Sequence, residues 1–160
     1  MIWNTIPNEG RPRLWKKLRT DITGLGLVEQ LDLIAKFCST IPYGARSIDY
    51  YNPSEWPTPW EIFFHNSFCR NSVSLIIFHT LTMLNTDDNI ELWVVKDNEG
   101  DYLLPIVNNQ FILNYEPGEV SNYPDICDYF IVMQKFSRNQ IKIITWIDSH
   151  RFFKVFPGLR

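Results

Sequence analysis

The stretch Trp56-Pro57-Thr58-Pro59-Trp60-Glu61, with Cys69 eight residues after the glutamate and an apolar run from Val73 to Leu84 behind it, decides how this chain is read. Prolines cannot propagate a helix and push the residues before them toward extended geometry, so the segment predicts a rigid ramp into a helix. That helix is expected to begin near Cys69, with Ser67 as its N-cap. A thiol at such a position faces the positive end of the helix dipole, which favours the thiolate and makes it available for attack. Behind it, Val73, Ile76, Ile77, Thr80 and Leu84 form one stripe with Leu75 and Phe78 beside it, the pattern of a helix buried on most sides.

On these residues the stretch from Asp49 to Leu84 resembles the bacterial transglutaminase-like cysteine proteinases, in which a Trp-x-Thr-Pro-x-Glu ramp precedes a Gly-Asp-Cys-Glu-Asp helix start. Trp56, Thr58, Pro59, Glu61 and Cys69 match that wording. Ser67-Phe68 stands where the family has Gly-Asp, and Arg70-Asn71 where it has Glu-Asp. The ground on which the family places its histidine is here Asp101-Tyr102-Leu103-Leu104, without a histidine. Where the family has Leu-Asp-Asn, this chain has Leu113-Asn114-Tyr115, with asparagine for the aspartate. The resemblance spans roughly residues 48–115 and implies a transglutaminase/papain-like core.

Composition narrows the classes. The chain has 160 residues, a length suited to one domain with one sizeable core. Aromatics at 15 % and hydrophobics at 45 % exclude a disordered chain, and a net charge of −3 argues against general affinity for nucleic acid. The first ten residues lack the apolar centre of a signal peptide, and the longest apolar run is broken by Ser74, His79, Thr80 and Thr82, so neither secretion by a signal peptide nor a membrane span is expected. Cys38, Cys69 and Cys127 are odd in number and widely spaced, which fits a reducing compartment better than a disulfide framework or a zinc site.

Leu14, Leu18 and Ile22 predict a first helix, whose other faces carry Arg11, Arg13, Lys16, Lys17 and Arg19 as a solvated basic surface. Leu27, Leu31, Ile34 and Cys38 predict a second, ending an N-terminal helical part at about residue 40. Residues 41–61 read as an irregular loop rich in proline and aromatic rings, with Tyr50, Tyr51, Trp56 and Trp60 as candidate interface anchors or as seals for the core. The central helix falls within 62–85. Strands are expected at 90–96, 102–107, 110–115, 129–136, 141–147 and 151–156, in an antiparallel sheet over 90–156, with Pro105 marking an edge or a bulge. Helices followed by such a sheet make an α+β domain, with the N-terminal helices and a Cys-bearing central helix packed on the strands.

Thiol chemistry needs a base within about 2.6–3.2 Å of the sulfur and a group to orient it. His79 lies ten residues along the helix from Cys69, about 15 Å away at 1.5 Å per residue, out of reach. His65 is close in sequence and serves as candidate base or as a packing and capping residue. His150, in Asp148-Ser149-His150, is the other candidate. No phosphate loop, zinc pair or nucleophile elbow is present, and no cofactor or metal is expected.

Two readings follow. The first is a catalytically silent transglutaminase-like domain acting as a structural or interaction subunit. Ser47-Ile48-Asp49-Tyr50-Tyr51 leading into Trp56-Glu61 is similar to small proteins of T4-like tailed phages, which implies a virion component at the neck, tail or baseplate, contacting other phage structural proteins, in the virion or host cytoplasm. The alternative is an active cysteine hydrolase or transamidase with Cys69 as nucleophile, His65 or His150 as base and Asn114 orienting it. A nucleic-acid contact through residues 11–19 is the least expected.

Overall fold

A computed structural model describes residues 3–44, 48–85, 87–141 and 152–159. Helices α1 (Gly10–Ile22), α2 (Leu27–Ser39), α3 (Pro59–Phe64) and α4 (Arg70–Leu84) precede a five-stranded sheet of β1 (Ile90–Asp97), β2 (Gly100–Val107), β3 (Phe111–Leu113), β4 (Val120–Asn122) and β5 (Ile131–Ser137). The strand order is β4-β3-β2-β1-β5 and every pairing is antiparallel. This is the expected α+β architecture, with α4 packed on β2 and β1 and buried on nearly every side.

Several local expectations change. The proline ramp is itself a helix: Thr58 is the N-cap of α3, its hydroxyl accepting from the Glu61 amide, and Pro59 occupies the first turn. Proline is tolerated there because its missing N–H would have no intrahelical partner, a point that outweighs its disruptive effect further in. The cap of α4 is Cys69, not Ser67. Residues 152–155 are helical where a strand was expected, and 138–141 are helical where a turn and a strand start were expected. The rest of the proposed strand 141–147, and Arg151, lie outside the described residues. Residues 120–122, read as turn, form a short strand pairing Phe111–Leu113.

Pro105 sits inside the sheet, opposite Leu92 on β1. It is tolerated because β3 pairs with β2 only at Ile106 and Val107, so the missing donor falls where the β2–β3 ladder has stopped. Two residues earlier, on the same outer side of β2, Leu103 also lacks a strand partner. Its N–H donates to Asn71 Oδ1 at 3.0 Å and its carbonyl accepts from Ser74 Oγ at 2.8 Å, both from the first turns of α4. The helix start therefore plugs the gap where the sheet opens.

Arg11 is not part of a solvated basic face. It is buried, donating to the Phe63 carbonyl at 2.6 Å, Phe64 at 2.7 Å and Ile6 at 2.7 Å, and so ties α1 to the end of α3. Trp56 and Trp60 are buried in the main core rather than presented to a partner: Trp56 Nε1 donates to the Asp49 carbonyl and its ring meets Phe136, while Trp60 packs on Trp15 and Phe153. Large rings placed beside a buried helix gain more from enclosure than from exposure. Tyr50 is half-buried and Tyr51 exposed, its hydroxyl donating to Asp101. No helix among the described residues is long and apolar enough to cross a membrane.

Candidate functional site

Cys69 caps α4 through a reciprocal box. Its sulfur accepts from the Ser72 amide at 3.3 Å, and its own amide donates to Ser72 Oγ at 2.8 Å. Ser72 Oγ in turn donates to the Ser67 carbonyl at 3.0 Å. The residue is buried at 6 % exposure, so the sulfur serves the helix end before it serves any solute.

Beside it opens a cleft of about 1030 Å³, lined by Tyr43, Arg70, Asp97, Tyr102, Asn114 and Tyr115 among others. Asn114 closes its floor. It adopts a left-handed backbone, φ 63°, just after β3, and its Nδ2 donates to the Arg70 carbonyl at 2.9 Å and to Ser74 Oγ at 2.8 Å. Asparagine tolerates that backbone better than most residues, so the position both turns the chain and pins α4. Its Oδ1 faces the Tyr43 hydroxyl at 3.4 Å.

Tyr43 is held here because the Gly44 amide donates to the Phe68 carbonyl at 2.6 Å, laying residues 41–44 along the approach to Cys69. Its hydroxyl pKa is raised, first by burial; nearby Arg70 pulls it down, while Cys38 and Cys69 push it up. On the other side, the Arg70 guanidinium lies 3.7 Å from the Tyr102 ring centre and donates to the Tyr115 carbonyl. The Tyr102 hydroxyl donates to Asp97. Burial and that bond raise the phenol, and the bond holds the carboxyl of Asp97 below its ordinary value.

The fold thus gathers Cys69, Asn114 and the start of β2 at one helix end. It does not gather the histidines described here with them. His65 is exposed at the end of α3, its ring beside Phe64, and lines a separate groove with Trp56, Glu61, Phe152 and Phe156. His79 is buried at the far end of the core, its pKa lowered to about 3 by burial. His150 and Asp148 lie outside the described residues. Tyr43, Arg70 and Asp97 were not singled out from the sequence as site residues; no motif marks them, and only the bond from Gly44 to Phe68 and the hairpin register bring them together.

Among the described residues no cluster of three or more His, Cys, Asp or Glu side chains could hold a metal ion. The helix-on-sheet arrangement, with a cysteine capping the central helix, is a transglutaminase-like α+β fold, by its likeness to solved structures. Solved structures of Legionella pneumophila LapG match it. LapG aligns at TM-score 0.64 and 14 % identity over 82 % of each chain, and calcium-bound LapG at 0.64 and 14 % over 78 % of this chain and 73 % of that one. EGTA-treated LapG aligns at TM-score 0.63 and 14 % identity. At this identity the likeness is one of fold. No family model and no curated protein matches the sequence.

Proposed function

We propose that this is a catalytically silent transglutaminase-like domain that works through its surfaces, as a structural or interaction subunit. The observation that carries this reading is the state of Asn114. Both its amide protons are spent on the first turns of α4, and its oxygen accepts from the Tyr43 hydroxyl at 3.4 Å. The asparagine acts as a girder where a catalytic site would have an orienting group. Cys69 is likewise occupied as a cap, and the strand start that would supply a base carries Tyr102, covered by Arg70.

Calcium is bound in one LapG structure; among the described residues of this chain no group of three or more His, Cys, Asp or Glu side chains could hold a metal ion. The wording of residues 47–61 supports placing the subunit in a tailed-phage virion, at the neck, tail or baseplate, among other phage structural proteins. Mass spectrometry of purified particles tests this. The chain is expected in the particle, with Cys69→Ser particles assembling at wild-type yield; a chain missing from particles removes the virion role.

One observation favours the second reading, a cysteine hydrolase or transamidase. The Cys69 sulfur lies at the N-terminus of α4, where the Ser72 amide donates to it at 3.3 Å. Of the two candidate bases, His65 sits in a separate groove, which leaves His150, outside the described residues, as the base on this reading. Under silence, iodoacetamide at pH 6 labels Cys69 no faster than half-exposed Cys127. Labelling of Cys69 tenfold faster than Cys127 makes the enzyme the better reading.

A further inference from the structure

Tyr43 and Asn114 belong to two cavities at once. They line the open cleft, and they also wall a smaller chamber of about 150 Å³ behind it, whose other faces include Ala35, Cys38, Ile41 and Ile77. Its walls are mainly apolar, with Ser39 and Asn114 at a polar edge, and its size admits a group about as large as benzene. Burial pushes the Cys38 thiol up to about 12, so the chamber presents a neutral sulfur. The partition is lightly fastened. Tyr43 is 49 % exposed, and its hydroxyl reaches Asn114 at 3.4 Å, the long end of hydrogen bonding.

The cleft in front differs in character. At about 1030 Å³ and open to solvent it exceeds what a compact small molecule fills, which suits an elongated ligand. Its charged lining is Asp97, Glu99, Glu116 and Asp128 against Arg70 and Lys96, four carboxylates to two cations. Arg70 keeps its charge while packed on the Tyr102 ring and bonded to the Tyr115 carbonyl, and the excess of carboxylates makes the field met by a ligand negative. Tyr129, 63 % exposed on the rim, offers a ring face to a cation.

We propose that the cleft binds an extended polypeptide segment bearing one leucine-sized apolar side chain flanked by Lys or Arg, and that this side chain swings Tyr43 aside and enters the chamber. The proposal rests on the reading that this domain binds rather than cuts. Enclosing a leucine side chain contributes a preference of about 10- to 100-fold over glycine.

Isothermal titration of the full chain with Ac-Gly-Lys-Leu-Lys-Gly-amide, with its Leu→Gly form and with its Lys→Glu form tests this. The leucine peptide is expected to bind 10- to 100-fold more tightly than the glycine peptide, and the Lys→Glu form more weakly, by a margin that shrinks with salt. Cys38→Met, which fills the chamber, should reduce the leucine preference below threefold. Should that variant fail to fold, methyl resonances of Ile41 and Ile77 in the wild-type chain replace it, shifting with the leucine peptide and not with the glycine peptide. Equal binding of leucine and glycine peptides overturns the anchor chamber while leaving the binding role standing. No binding by any peptide overturns both. Cleavage with the leucine preference intact supports the chamber and removes only catalytic silence.

Discussion

Replacing Asn114 separates the girder from the catalytic reading. Asn114→Gly keeps the left-handed backbone but removes the bonds to the Arg70 carbonyl and Ser74 Oγ. At about 1 kcal/mol each this costs about 2 kcal/mol. Asn114→Ala loses the same bonds and keeps a Cβ at φ 63° without the local hydrogen bonding that lets asparagine tolerate that backbone, about 1 kcal/mol more, for a total of about 3 kcal/mol. Asn114→Asp turns a carboxylate oxygen toward the Arg70 carbonyl, so acceptor meets acceptor and the loss should at least equal that of alanine. Urea unfolding followed by tryptophan fluorescence measures all three, with the m-value checked for constancy. The expected order of stability is wild type, Gly, then Ala with Asp. If Asn114→Gly unfolds within 0.5 kcal/mol of wild type, or Asn114→Asp is the most stable, the girder argument is wrong.

The buried His79 makes stability fall with acid. Its folded pKa of about 3 lies below the ordinary 6.5, so between those values only the unfolded chain binds the proton. Stability is fully present above pH 6.5 and declines on the order of 1 kcal/mol per pH unit as pH drops toward 4; a flat urea midpoint from pH 7 to 4.5 contradicts this. Arg11→Met leaves the Phe63, Phe64 and Ile6 carbonyls without their shared donor, and calorimetry should show a loss of about 3 kcal/mol, with Arg11→Lys intermediate. Since serine is as good a cap as the thiol, Cys69→Ser should change stability by less than about 0.5 kcal/mol. Cys69→Val should cost about 1 kcal/mol or more, and equal stabilities would deny the capping role.

Much of the fold was legible from periodicity. The apolar faces of α1, α2 and α4, and the hairpin turns at 97–100 and 108–109, where Asn108 and Asn109 both take positive φ, report local geometry that short windows carry. The end of the chain was not legible in this way: Phe152, Phe153 and Phe156 look like strand residues but lie on a helical turn. Ring contacts with Phe64 and Trp60, far away in sequence, outweigh strand propensity there.

By itself the order of residues determined that a cysteine would begin a buried helix packed on an antiparallel sheet, because helix periodicity, turn chemistry and the Trp56–Glu61 wording act over neighbouring positions. Only the tertiary structure decided what surrounds that cysteine. It put Asn114 under the helix as a brace, Tyr43 between cleft and chamber, His65 in another groove and both tryptophans inside the core. These outcomes depend on where β3 leaves β2 and which side chains fill the opening. That competition among residues tens of positions apart leaves no periodic trace in the chain.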